Sequence, residues 1–170
     1  MIRHLIEEVM TREGGYVDHP ADRGGPTNMG ITIATLSGFR GKIVTPADVK
    51  ALPRDDAYNI YLKMYWSDPG FHTLDLCPSC IEMIFDLAVH SGPFRAIKLL
   101  QQAIGVHQDG IIGPMTREAA FMMPSLDLFH ALVANRMVFL GKLITNDPEQ
   151  AVFAHGWFRR LANLLTDYGV

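Results

Sequence analysis

The stretch "EGGYVDHPADRGGPTNMGIT", residues 13–32, interrupts a chain that otherwise reads as helices. It holds five glycines, two prolines, three acidic groups and one arginine. It opens on Glu13, a carboxylate placed where a helix ends. On the N-terminal side, Ile2, Leu5, Ile6, Val9 and Met10 recur at i, i+3, i+4, i+7 and i+8, the apolar stripe of one helix. Gly14 and Gly15 stop that helix. "MGIT" at the far end of the stretch predicts a small β-hairpin, with a short helix starting at Thr32.

Beyond residue 32 the helical reading continues. "TPADVKALP" offers Thr45 as N-cap, Pro46 at the first helical position and Asp48 in the first turn. "PRDDAYNIYLKMYW" places Ala57, Ile60, Tyr61 and Met64 on one side. "SCIEMIFDLAVHSG" closes at Ser91-Gly92, and "PFRAIKLLQQAIG" ends at Gly105. Pro114 starts "GPMTREAAFMM". Ser125 and Asp147-Pro148 open two long final helices. Leu126, Phe129, Leu132, Val133, Met137 and Leu140 mark the core face of the first, and Phe153, Trp157 and Leu161 that of the second. The fold class is mainly α, with an irregular or β-hairpin loop at residues 13–32. The tight turn at Ser91-Gly92-Pro93 divides the chain into 1–92 and 93–170 without a free linker.

Composition narrows the function. Of 170 residues, 48% are hydrophobic and 19% charged, a globular balance. The net charge of −3 gives no general attraction to nucleic acid. The longest apolar runs fall short of the roughly 18 residues of a membrane span. Glu7 and Glu8 stand where a signal peptide needs an apolar centre, so cytoplasmic synthesis without an export signal is expected. The seven histidines are dispersed, and Cys77 and Cys80 lack partners at zinc spacing, so no metal or cofactor is expected. "CPSC" reads as two structural cysteines.

Glu13 carries the chemistry. A helix C-terminus bears partial negative charge, which disfavours an anion and favours the protonated carboxyl. A protonated carboxyl is what a general acid needs. The plain alternative is a solvated surface glutamate. Asp18 and Asp22 return carboxylates toward the same region, and Thr27 and Asn28 add neutral polar groups. Two carboxyl functions flanking one bond are the requirement for glycoside cleavage.

The segment "TREGGYVDHPADRGGPTNMGIT" resembles the N-terminal motif of glycoside hydrolase family 108, lysozyme-like N-acetylmuramidases of phages and bacteria. The resemblance continues through "YNIYLKMYW", "FDLAVHSGPFRAIKLLQQAIG", "DGIIGPMT" and "HGWFRRLANL". It implies a lysozyme-like fold, with residues 1–92 as the hydrolase and 93–170 as a helical peptidoglycan-binding lobe. It implies Glu13 as the catalytic acid, with Tyr16 completing the motif. Asp22 and Thr27 fall about where phage-type lysozymes place the residues that handle the attacking water. Thr27 comes one residue early, and Asn28 takes the strict spacing. Asp18 is the competing second carboxylate. Tyr16, Asn28, Asp18 and Trp66 are the candidate substrate contacts, Trp66 standing equally as cleft wall or core. Asp109, Gly110, Gly113 and Pro114 form the segment similar to peptidoglycan-binding lobes, although locally they read as turn and helix-start residues.

The implied activity is hydrolysis of the β-1,4 bond between N-acetylmuramic acid and N-acetylglucosamine. A lytic transglycosylase and a non-catalytic wall-binding protein are the rivals. The implied partner is peptidoglycan, reached in the periplasm or outside the cell through a holin-type lesion or an exporter, by a protein expected to be a monomer.

Overall fold

The structure, a computed structural model, describes residues 1–18 and 25–167. It is mainly α, and the chain packs as two compact units, 1–68 and 69–170.

The first unit begins with α1 (Ile2–Glu13), which buries Leu5, Ile6, Val9 and Met10 as the i, i+3, i+4 stripe requires. Gly14, at φ +77°, ends it in a conformation that favours glycine. Two short strands, β1 (Thr27–Asn28) and β2 (Ile31–Thr32), pair antiparallel, with Thr27 opposite Thr32 and Asn28 opposite Ile31. Thr32 then caps α2 (Ile33–Arg40) by accepting from the Thr35 N–H at 3.1 Å. At α3 (Pro46–Lys50), Thr45 and Asp48 close the capping box. The following helix, α4 (Arg54–Leu62), buries Ala57, Ile60 and Tyr61. Its last turn widens into a π-helical turn over Lys63–Ser67, which buries Trp66.

The second unit is a helical bundle: α5 (Pro78–Ser91), α6 (Pro93–Ala103), α7 (Pro114–Met122), α8 (Ser125–Asn146) and α9 (Ala154–Asp167). Both α6 and α8 pack on α5, which buries Ile81, Met83, Ile84, Phe85, Leu87 and Ala88. Two expectations about this bundle are corrected. Asp147 does open a segment, but it is the 3-10 turn Pro148–Phe153, and the last helix starts only at Ala154. Phe153 is therefore exposed, and the last helix buries Leu161 and Leu164 instead. On α8, Leu126 and Met137 are also exposed, and the buried face runs through Leu128, Phe129, Leu132, Val133, Arg136 and Leu140.

Contrary to the reading from apolar runs, α8 is long and apolar enough to cross a membrane by length and composition. Arg136 at its centre points another way, because it is 1% exposed and bonded 2.7 Å from Asp86 of α5. Arg160 of α9 reaches the other Asp86 oxygen at 2.6 Å, so one carboxylate fastens three helices. Burial alone would raise the Asp86 carboxyl; the two guanidinium groups overcome this and hold it below the usual carboxylate range. Beside the cluster, half-buried His90 packs edge-on to Trp157, ring centroids 5.8 Å apart. Burial first, and Arg136 and Arg160 next, lower its imidazole.

Asp86→Asn leaves two guanidinium groups facing a neutral amide and is expected to cost about 3–5 kcal/mol. A denaturant titration of the full chain reads it. A loss below about 1 kcal/mol would mean that water already neutralises the cluster. The same groups fix the response to acid. A lowered histidine penalises the fold once pH drops below the unfolded value near ~6.5. A lowered carboxylate contributes stability that is complete above ~3.9 and is lost as pH falls through its folded value. Both make the second unit less stable on acidification, with His90 acting first.

Candidate active site

The loop after α1 is closed at its base by backbone pairing. The Val17 and Thr27 amides each donate to the other's carbonyl at 2.8 Å, which lays Val17 against β1 on the side away from β2. Thr27 is thereby pinned between Val17 and β2. Next to it, Asn28 is buried, and its amide nitrogen donates to the Val49 and Lys50 carbonyls at 3.0 and 3.2 Å. Those are carbonyls at the end of α3, where a helix leaves acceptors unsatisfied. Asn28 thus locks the hairpin to α3, a structural bond that sequence spacing does not reveal.

The hairpin turn is Met29-Gly30, at φ +50° and +76°. Positive φ at both central residues is what a two-residue type I′ turn requires, and it strains methionine. Tyr61 of α4 supports the turn by donating its hydroxyl to the Met29 carbonyl at 3.0 Å. Gly30 lies directly under Glu13. A Cβ at Gly30 would meet Tyr61 Oη at 2.4 Å and Glu13 Cγ at 2.9 Å. The carboxylate arm is therefore rested on a bare glycine backbone.

Gly30→Ala should displace this arm. A misplacement on the order of 1 Å can cost about 100-fold in rate, so the wall lysis that the resemblance implies should fall at least tenfold. Unchanged lysis at an unchanged melting temperature would show that the contact does not position Glu13.

An open groove of about 530 Å³, in the size range of ligand sites, is lined by the residues next to Glu13 and Gly30 in the chain rather than by these two themselves. Met10, Thr11, Gly14, Gly15, Asn28, Met29, Leu52 and Arg54 line it. Gly14 and Gly15 present no side chain, and a Cβ on either would meet nothing within 4 Å. Backbone can thus approach a bulky ligand closely. Arg54 supplies a cation to the wall. Glu7 holds it through Nε at 3.0 Å and through Nη2, and Thr11 Oγ1 lies 3.4 Å from Nη2.

Glu13 is exposed in the free chain. Tyr16 donates its hydroxyl to Asp18 Oδ2 at 3.0 Å, and its ring lies 5.7 Å from Lys50 Nζ. Partial desolvation, then Asp18, raises the Tyr16 phenol. Asp22 lies outside the described residues. Trp66 is buried, which favours packing over a cleft wall. Among the described residues no group of histidine, cysteine and carboxylate side chains could hold a metal ion.

In the second unit, Gln101 of α6 organises the "DGIIG" loop, and reading the sequence missed it. Its Nε2 donates to Asp109 Oδ1 at 2.7 Å and to the Ile111 carbonyl at 3.0 Å. Its Oε1 accepts from the Gly110 N–H at 2.9 Å. The Gln101 bond first, and the Ile111 N–H next, lower the Asp109 carboxyl. Gly110, at φ +79°, lies under the Phe94 ring, where a Cβ would come within 2.2 Å. Asp109, Gly113 and Pro114 border a cavity of about 200 Å³ with Val106, His107, Ile111, Met115 and Thr116. The missed signal was a polar residue among Ile97, Leu99 and Leu100 on an otherwise apolar face, where burial demands partners.

Comparison with known proteins gives two matching families in chain order. Residues 6–92 match the family described as Glycosyl hydrolase 108, and residues 95–162 match the family described as Predicted Peptidoglycan domain. These segments meet near Gly92, whereas the packing units meet at residues 68 and 69. No curated protein matches the chain. Among solved structures, that of Brucella abortus SagA is similar at 39% identity and a TM-score of 0.85, over 98% of this chain and 92% of that one. The chain belongs to glycosyl hydrolase family 108 and is a mainly α, lysozyme-like glycoside hydrolase that acts on peptidoglycan.

Proposed function

We propose that this protein is an N-acetylmuramidase, hydrolysing the β-1,4 bond between N-acetylmuramic acid and N-acetylglucosamine with Glu13 as general acid. The reading rests on one placement. Glu13 ends α1 and packs on Gly30, and its chain neighbours Gly14 and Gly15, with Met29 beside Gly30, line a groove. A glycan strand in that groove brings a glycosidic oxygen to the carboxyl and excludes water from around it. Glu13 protonates the leaving oxygen as the bond breaks. Asp22, with Thr27, directs the attacking water or offsets the positive charge that develops on the sugar. Asp18 is already engaged by Tyr16, which favours Asp22 as the second carboxylate. Arg54, oriented by its ion pair with Glu7, lines the groove as a donor suited to the carboxylates of muramyl residues and their peptides. The second family segment, residues 95–162, supplies wall affinity.

Digestion of purified peptidoglycan tests the reading. New reducing muramic acid ends are expected. Anhydro-muramic ends would identify a transglycosylase, reducing glucosamine ends would move the cleaved bond, and no new ends would leave a wall-binding protein. In the same assay Asp22→Asn should cost more activity than Asp18→Asn. The reverse order would reassign the second carboxylate.

A further inference from the structure

Cys77 and Cys80 bracket the first turn of α5. Cys77 is the N-cap, Pro78 fixes the start of the helix, and Cys80 follows one turn later on the same face. Residues three apart at a helix start lie side by side, about 5–6 Å between Cβ atoms. Their surroundings differ sharply. Cys77 is half-buried, with Sγ 3.1 Å from the Ser79 hydroxyl and the Cys80 N–H turned toward it. Cys80 is fully buried and donates its thiol to the Ser125 carbonyl, the first of α8, at 3.4 Å. Burial works to raise the Cys77 thiol, but the Ser79 hydroxyl and the Cys80 N–H outweigh it and leave it below the ordinary range. Burial, then the neighbouring Cys77, pushes Cys80 up to about 12. One partly exposed thiol at a helix start, where amide dipoles favour thiolate, beside one fully sheltered thiol, is the division of labour that disulfide exchange needs. Two inert structural cysteines do not require that asymmetry.

We propose that Cys77 and Cys80 form a thiol–disulfide exchange site, with Cys77 attacking an incoming disulfide and Cys80 resolving the mixed disulfide. The oxidant is an accessible disulfide of a small thiol or of a protein. The Cys77 thiolate attacks one sulfur, forms a new S–S bond and expels the other sulfur as a thiolate, which takes the proton that Cys77 lost. Cys80 then loses its proton and attacks Cys77 Sγ, and the second small thiol leaves with that proton. Both cysteines are oxidised, and one disulfide becomes two thiols. Closure removes the S–H that Cys80 gives to Ser125, so the redox state of the pair is felt where α5 meets α8.

The test uses the full chain, reduced and freed of reductant, then mixed with glutathione disulfide near neutral pH and followed by intact mass. The wild type should end two hydrogens lighter with no glutathione attached. Cys80→Ser should stop at one glutathione, carried on Cys77. Cys77→Ser should react at least about tenfold more slowly than Cys80→Ser, because a buried thiol is a poor nucleophile. A wild type that keeps two free thiols, or that holds a lasting glutathione adduct, would overturn the proposal. So would equal reaction of the two variants. Should either variant melt abnormally, alkylation of the native wild type decides instead. Cys77 must be modified well before Cys80, and equal rates overturn the proposal.

Discussion

Glu13→Gln is expected to keep the fold and lose nearly all wall lysis, a fall of about 10²- to 10⁴-fold. The amide has the same shape, so its packing on Gly30 and the support of the turn by Tyr61 persist. What it lacks is a transferable proton. Among the described residues, the neighbouring carboxylates are poor substitutes because each has another occupation, and Asp22 is assigned the other side of the bond. Glu7 holds Arg54, Glu8 lies 3.3 Å from His4, and Asp18 accepts from Tyr16. Clearing of purified walls, measured beside thermal melting, tests this. More than a tenth of wild-type clearing in a normally melting variant would place the acid elsewhere. For a variant that melts early, the kinetic loss is measured below that transition.

The parts of this arrangement that could be read in the sequence are those encoded within a turn or two. Gly14 as a helix stop, the Thr45–Asp48 capping box and Pro114 at a helix start depend on neighbours three or four residues away. The composition of residues 13–32 likewise marks a carboxylate followed by bare glycine backbone, although its exposure is there only the plain alternative. What escaped depends on partners distant in the chain. Gly30 matters because Glu13 and Tyr61 converge on it, from 17 residues before and 31 after. Asn28 looks like a water-handling residue by spacing, yet it is tied to α3. Periodicity put Leu126 and Met137 in the core and gave no role to Arg136, but the core face is set by where Asp86 lies on α5. Apolar periodicity locates a stripe, whereas a buried ion pair fixes its rotation. Asp22 lies outside the described residues, so its role rests on the sequence interval alone.

A chain ending at Gly92 should fail to fold as a smaller enzyme, although it contains the whole segment that matches the hydrolase family. The family boundary cuts through a packed bundle, because α5 lies before Gly92 and its partners α6 and α8 lie after it. Truncation would bare Ile81, Met83, Ile84, Phe85 and Leu87, all within 3% of complete burial. Each such side chain contributes roughly 1.5–3 kcal/mol when covered, and a whole domain's net stability is only about 5–15 kcal/mol. It would also strip Asp86 of both guanidinium partners. Expression of residues 1–92 should therefore give aggregated protein or a soluble chain without a cooperative melting transition. Wall lysis should be lost with it, even though Glu13, Gly30 and Arg54 are all retained. A soluble monomer that melts cooperatively and clears walls at more than a tenth of the full chain's rate would show that α5 finds another cover within the first 68 residues. Restoring α6 alone should not rescue the truncated chain, since Arg136 and the apolar face of α8 would still be missing.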